Sequence, residues 1–173
     1  MMIKRAIGVV AAAALVSTGV AFFAETPASA ASQTANLAVS ASVSNNCTIS
    51  TAAVAFGAYD PVVANASTNL DGTGTVTVAC TKGTSATVGL GLGSNASGSV
   101  RRLADGSSNY LTYELYKDSS YSAMWGNSGT DLLSPVAAPS KAARAFTVYG
   151  RVASNQDVPA GSYSDTVVAT VNF

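Results

Sequence analysis

The feature that most constrains this fold is a segment of alternating apolar and polar residues near the N-terminus. Across residues 34–44, apolar and polar side chains alternate, and Leu37, Val39, Ala41 and Val43 all fall on the same side. A period of two predicts a β-strand with one buried face and one solvated face. Such a strand needs an apolar groove, either in its own domain or in a neighbouring molecule. That choice decides whether the chain is a self-contained domain or a subunit that polymerises.

The first 30 residues have the pattern of a secretory signal peptide. A basic head that ends at Arg5 precedes an apolar run over residues 6–24 and the small-x-small motif Ala28-Ser29-Ala30. An apolar run of about 19 residues approaches the length of a membrane span. The cleavage motif and the polar sequence after it favour removal, so we expect the mature chain to begin at Ala31.

The composition predicts a β-rich protein with a weakly charged surface. Charged residues make up 10% of the chain, well below the roughly 25% of ordinary soluble domains. No basic cluster larger than Arg101-Arg102 is present, which argues against a nucleic-acid partner. Gly, Ser, Thr, Ala and Val dominate residues 31–173, and these residues suit short strands and tight turns. A surface of this kind is typical of a protein that packs beside copies of itself.

The two cysteines, Cys47 and Cys80, predict a structural disulfide. An exported chain with an even number of cysteines forms disulfides, and two cysteines allow a single connectivity. The alternatives are a redox pair or metal ligands. A redox pair usually has Cys-x-x-Cys spacing, and the chain has no histidine to complete a metal site. The chain-entropy model gives the disulfide roughly 3–4 kcal/mol of stabilisation.

Short extended segments separated by Gly, Pro, Asn and Asp turns fill the rest of the chain. After a strand that begins at Cys47, we expect strands near residues 54–57, 74–80, 86–93, 100–103, 110–116, 122–125, 144–152 and 163–173. Many short strands without a convincing helix predict an all-β, antiparallel sandwich.

The sequence offers no arrangement of residues that predicts catalysis. The absence of histidine excludes Ser-His-Asp and Cys-His nucleophiles and the commonest metal ligand. Glu114 and Asp118 would lie about 13 Å apart along a strand, too far for a paired-carboxylate site. The glycines over residues 89–93 lack the following helix and lysine of a phosphate-binding loop. We therefore expect no enzymatic activity, no cofactor and no metal.

Aromatic residues are concentrated in one part of the chain and have two interpretations. A sugar-binding or adhesive surface is one, and packing within and across strands is the other. Packing is the commoner use of aromatic residues in a β-sheet, and we favour it here. The residues concerned are Tyr110, Tyr113, Tyr116, Tyr121 and Trp125.

A series of motifs in a specific order runs through the mature chain. After the alternating segment come Cys47-Thr48-Ile49, Phe56-Gly57-Ala58-Tyr59-Asp60-Pro61, Val78-Ala79-Cys80, Tyr113-Glu114-Leu115-Tyr116-Lys117-Asp118, Trp125-Gly126, Tyr149-Gly150-Arg151-Val152 and Pro159-Ala160-Gly161-Ser162-Tyr163-Ser164-Asp165-Thr166. In this order they resemble the spore coat protein U domain family, which includes major subunits of archaic (Csu-type) chaperone–usher pili.

The resemblance implies an immunoglobulin-like antiparallel β-sandwich that lacks its final strand. In that family a periplasmic chaperone fills the exposed groove until, at the outer-membrane usher, the N-terminal strand of the next subunit replaces it. Residues 31–46 would then be a donor-strand extension and residues 47–173 the pilin domain, since the last predicted strand ends at Phe173 with no further strand to complete the sheet. The groove-filling side chains would be Leu37, Val39, Ala41 and Val43.

The implied function is that of a structural subunit in a cell-surface fimbrium, secreted through the periplasm, that serves adhesion or biofilm formation. Its partners would be copies of itself or sibling pilins, the chaperone and the usher. One alternative is a self-complemented spore coat or extracellular matrix protein, whose own N-terminal strand folds back into the groove. Another is a carbohydrate-binding adhesin that uses Trp125.

Overall fold

The computed structural model describes residues 29–173, which divide between two units, residues 29–40 and Ala41–Phe173. Most of the predicted signal peptide, residues 1–28, lies outside the described residues. Residues 29–46 form no helix or strand. Within the described range, no helix has the length and apolar character needed to cross a bilayer.

The second unit is built from antiparallel strands. Between residues 47 and 173 the strands are β1 (Cys47–Ala52), β2 (Leu70–Cys80), β3 (Thr87–Leu90), β4 (Arg101–Ala104), β5 (Tyr110–Tyr116), β6 (Arg144–Val152) and β7 (Ala169–Asn172), with one 3-10 turn at Gly129–Asp131.

These strands form two sheets. The larger has the order β1-β2-β6-β5-β4, and the smaller contains β3 and β7. Every pairing between the strands is antiparallel. The expected fold class, an all-β immunoglobulin-like sandwich, is confirmed.

Alternation along the central strands separates a buried face from a solvated one. In β2, Val76, Val78 and Cys80 are buried while the residues between them are partly exposed. In β5 the buried positions are Leu111 and Leu115, with Tyr113 between them. Each large aliphatic side chain buried in this way contributes about 1.5–3 kcal/mol. The core therefore lies between the inner face of the larger sheet and the smaller sheet.

Glycines on the inner face of the larger sheet admit the chain that follows β1. A Cβ on Gly150 would lie 2.7 Å from Val54 Cγ1 and 2.7 Å from Phe56 Cζ, and a Cβ on Gly74 would lie 2.7 Å from Val54 Cγ2. Separations this short are steric clashes. The absence of side chains at Gly74 and Gly150 lets Val54 and Phe56 pack directly on the sheet.

The structure corrects several predicted strands. Residues 54–57 form no strand because they leave the edge of the sheet and cross its inner face. Residues 122–125 make only an isolated bridge, Tyr116 with Met124, and the last strand is confined to Ala169–Asn172. No strand is present over residues 34–44, where a strand would need a partner with which to pair.

We expect Gly150→Ala to lower the free energy of unfolding by about 1–3 kcal/mol, because its methyl group would displace Val54 and Phe56. Urea unfolding followed by tryptophan fluorescence would measure the change. Gly161→Ala is the matched control, since a Cβ there has its nearest neighbour at 3.6 Å. Equal midpoints for the two variants would contradict the proposed close packing.

Candidate functional site

An apolar groove lies open on the second unit. It consists of two adjoining cavities of about 660 Å³ and about 330 Å³. Val54, Phe56, Leu103 and Asp165 line both cavities, so the two form one continuous depression. The smaller cavity is further lined by Ala52, Val76, Leu115, Val148, Val167 and Ala169, and the larger by Tyr59, Leu70, Leu111, Val152, Val158 and Tyr163. The lining is mainly hydrophobic.

The two walls of the groove run in opposite directions. From the smaller cavity to the larger, one wall advances from residue 51 to residue 61, while the other goes back from residue 169 to residue 158. An extended segment placed between them would therefore run antiparallel to one wall and parallel to the other.

Unpaired strand edges border the groove. Within residues 29–173, β1 pairs only with β2 and β7 pairs only with β3. The two strands contact each other but form no ladder. The free edge of each strand presents backbone N–H and C=O groups with which another strand can pair. The groove thus combines an apolar floor with two hydrogen-bonding edges.

The predicted groove-filling side chains are exposed. Leu37 is 87% exposed, Val39 86% and Val43 85%, and Ala41 is also exposed. A series of exposed apolar side chains this close together in the chain suggests a surface that a partner covers. Their assignment to a donor strand stays a prediction.

The chain is anchored to the second unit immediately after these side chains. Thr81 Oγ1 donates a hydrogen bond to the Ser44 carbonyl at 3.2 Å and accepts one from Asn46 N–H at 3.1 Å. Thr84 Oγ1 donates to Asn45 Oδ1 at 3.1 Å. These contacts tie residues 44–46 to the turn that follows β2, so they fix the point at which the N-terminal extension joins the domain.

Cys47 and Cys80 form a disulfide, as the cysteine count predicts. They are directly opposite each other in the pairing of β1 with β2. The bond links the beginning of β1 to the end of β2, and the wall of the groove begins at Thr51 near the other end of β1.

The aromatic residues separate into two groups. Trp125 is 0% exposed and its indole N–H donates to the Val88 carbonyl at 3.0 Å, while Tyr113 is buried in the core. The packing interpretation therefore holds for Trp125 and Tyr113, and a glycan cannot stack on a fully buried Trp125. Tyr116 and Tyr121 lie on the outer side of the larger sheet in an edge-to-face contact, with ring centroids 5.5 Å apart.

The loop after β5 holds Tyr121 in an uncommon backbone conformation. Its φ of 56° is in the left-handed region, which is rare for a bulky residue. The Asp118 carboxylate stabilises the loop by accepting hydrogen bonds from Ser120 and Ala123, and these bonds hold the pKa of Asp118 well below its usual range. The Arg151 guanidinium lies 3.5 Å from the centre of the Tyr121 ring, which attaches the loop to the sheet.

Sequence reasoning did not predict that Arg101 is buried, yet only 1% of it is exposed. Its Nε donates to the Gly91 carbonyl at 3.0 Å, and Nη2 donates to the carbonyls of Leu90 at 2.9 Å and Trp125 at 2.8 Å. Nη1 pairs with the Glu114 carboxylate. A charge needs such partners when it is removed from water. An arginine within a strand gives no sequence signal that it is buried.

Asp165 lies at the junction of the two cavities and was likewise not predicted. Its Oδ2 accepts a hydrogen bond from the Tyr113 hydroxyl at 2.8 Å, and its Oδ1 accepts bonds from the backbone N–H groups of Asn95 at 3.1 Å and Thr166 at 2.8 Å. Burial raises the pKa of Tyr113 far above its usual value, and the neighbouring Asp165 raises it further. Tyr113 therefore stays protonated and acts as the donor to Asp165.

The described residues contain no group of three or more Asp, Glu, Cys or His side chains placed to hold a metal ion. Every buried polar side-chain atom among them has a hydrogen-bond partner. No orphaned group in this part of the chain points to a missing ligand.

Comparison with known proteins identifies relatives over almost the whole chain. The model of the Spore Coat Protein U domain matches residues 33–170. Protein U of Myxococcus xanthus is 42% identical over an alignment of 186 positions. The alignment covers 99% of this chain and 98% of that protein.

A solved structure shows the same fold. It is the complex of CsuC, a chaperone, with CsuE, a tip adhesion subunit, from the archaic chaperone–usher Csu pili of Acinetobacter baumannii. The matched chain is 23% identical, with a TM-score of 0.56 over 76% of this chain. The present chain spans 40% of that chain's length.

We expect replacement of Cys47 and Cys80 by alanine to lower the free energy of unfolding by about 3–4 kcal/mol, because the open chain gains entropy when unfolded. Urea unfolding of the double variant under oxidising conditions would measure the loss. Added reductant should destabilise the unaltered protein by a similar amount and leave the double variant unchanged. A double variant as stable as the oxidised protein would contradict this.

Proposed function

Because the chain belongs to the Spore Coat Protein U domain family, we propose that it is a non-catalytic, structural subunit of a cell-surface fibre, which polymerises when the N-terminal strand of one copy enters the groove of the next. The observation that carries the proposal is the apolar groove between two unpaired strand edges, together with an exposed alternating segment on the same chain. A strand could pair with both edges of the groove, and burial in such a groove would cover the apolar side chains of the segment.

The chemistry of the two surfaces is complementary. An inserted strand would place Leu37, Val39, Ala41 and Val43 on the apolar floor and leave the small residues between them, one alanine and two serines, in solvent. Burial of each large side chain would contribute about 1.5–3 kcal/mol. Main-chain hydrogen bonds to β1 and β7 would add affinity, as in other cases of β-strand addition.

The symmetry of this contact leads to a fibre. The donor segment and the acceptor groove are different surfaces of one molecule, so insertion from one copy to the next is a heterologous contact. Repetition of such a contact without closure produces an open filament. No further interface is needed to extend the assembly.

Before assembly, an empty groove is an aggregation hazard, because its free edges can pair with any extended chain. A protein that occupies the groove during export would remove this hazard. The fold shared with a chain of the Csu chaperone–tip adhesion subunit complex supports a periplasmic chaperone as this partner. An outer-membrane usher and final display as a fimbrium that serves adhesion or biofilm formation complete the proposed route.

We expect Val39→Asp in the mature chain to abolish polymerisation, since insertion would bury an unpaired carboxylate. Ser40→Asp is the matched control, because residue 40 falls on the polar face of the same segment. Negative-stain electron microscopy and analytical ultracentrifugation of both variants provide the measurement. Equal polymerisation of the two variants would contradict the proposed face.

Removal of residues 31–44 should give a chain that cannot polymerise but still binds the chaperone, because the groove is retained while the donor is lost. Co-purification with the chaperone tests the second half of this expectation. Normal fibres from the truncated chain would overturn the donor-strand mechanism.

A self-complemented coat protein is the second candidate, and the relationship to Protein U and the Spore Coat name of the family favour it. The two candidates differ in molecularity. A synthetic peptide of residues 34–44 would bind directly to an empty groove. In a self-complemented chain the groove is already filled, and the peptide would first have to displace the chain's own N-terminal strand. A protein that stays monomeric at every concentration and does not bind this peptide would favour self-complementation.

A further inference from the structure

The smaller sheet has little intrinsic stability, yet it forms one wall of the groove. It contains only β3 and β7, joined over four residue pairs. An isolated two-stranded sheet is marginally stable in water. The position of β7 therefore depends on contacts with the rest of the domain.

One such contact is made by Arg101 of β4. Its guanidinium binds the carbonyls of Leu90 and Gly91, where β3 ends, at 2.9–3.0 Å. Gly91 N–H in turn donates to the Val168 carbonyl at 2.9 Å, immediately before β7 begins. Glu114 of β5 pairs with the same guanidinium. Arg101 therefore connects the larger sheet directly to the end of β3, and through Gly91 to the start of β7.

A second contact is made by Tyr113 of β5, which is directly opposite Arg101 in the strand pairing. Its hydroxyl donates to Asp165 at 2.8 Å, four residues before β7. A Cβ on Gly93 would lie 1.9 Å from Asp165 Oδ2, so the absence of a side chain there gives the carboxylate its place. Two neighbouring side chains of the larger sheet thus hold the segment that leads into β7, Tyr113 directly at Asp165 and Arg101 indirectly through Gly91.

We propose that Arg101 and Tyr113 are positioning residues that hold β7 as a preformed wall of the empty groove. Arg101 lines neither cavity and acts on β7 through Gly91 and Val168. The side chain of Tyr113 lines the smaller cavity, and its hydroxyl acts on β7 through Asp165. The functional meaning of this role rests on the proposed strand insertion, because a wall held in place needs no ordering when a partner strand arrives. Preorganisation of this kind raises affinity by reducing the entropy lost on binding.

Amide hydrogen exchange of the full mature chain, kept monomeric at low concentration, tests the proposal. Tyr113→Phe removes only the hydroxyl, and Arg101→Lys keeps the charge while removing the fork of donors. In each variant we expect the amides of β3 and β7 to exchange at least tenfold faster, since hydrogen bonds to charged groups are of that strength. Amides in the pairing of β2 with β6 should be unchanged. Tyr149→Phe is the control because Tyr149 lies on the outer face of the sheet.

Equal acceleration in both sheets would overturn the proposal, because it would indicate a general loss of stability. Unchanged exchange in β3 and β7 would also overturn it. If Arg101→Lys fails to fold, Asp165→Asn together with Tyr113→Phe retains the test, because both weaken the same contact.

A separate measurement distinguishes this proposal from the proposed function. Addition of the peptide of residues 34–44 to the unaltered protein should slow exchange in β7 if a strand enters the groove. Absence of this protection would count against strand insertion, while the exchange rates of the variants without peptide would still decide the role of Arg101 and Tyr113.

Discussion

Backbone hydrogen bonding at a strand edge is the constraint on which this structure depends. A β-strand with one unpaired edge presents backbone N–H and C=O groups with which another strand can pair, and here two such edges, those of β1 and β7, border the same apolar depression. Apolar side chains line the depression between these two edges. One further strand would therefore fit it better than a small ligand would, because a strand can both pair with the edges and bury apolar side chains. Three features hold the residues that line or border this depression. The disulfide fixes β1 to β2, the glycines admit Val54 and Phe56, and the buried arginine supports the start of β7.

The main strands were predictable from the sequence because their patterning is local. Alternation set the limits of β5 at Tyr110–Tyr116 and of β6 at Arg144–Val152, and the structure has the same limits. The family resemblance supplied what alternation could not, namely the expectation that the sandwich lacks a strand, which stays a prediction.

The walls of the groove were less accessible to sequence reasoning, because they depend on contacts between distant parts of the chain. Residues 54–57 have the composition of a strand, but Gly74 and Gly150, far along the sequence, let them pack on the sheet instead. Arg101 and Asp165 become significant only when carbonyls and hydroxyls from other strands converge on them. The alternation of apolar and polar residues along one strand does not predict contacts of this kind between strands.

The position of the disulfide determines how the domain responds to mechanical load. Cys47 is the first residue of β1 and follows directly after the N-terminal extension. Tension applied through that extension therefore reaches a covalent link to Cys80 of β2 before it can peel β1 from its neighbour. The load passes into the longest strand of the larger sheet, which is paired on both sides. Tension on the extension would therefore leave β1 joined to β2, together with the unpaired edge that β1 gives to the groove.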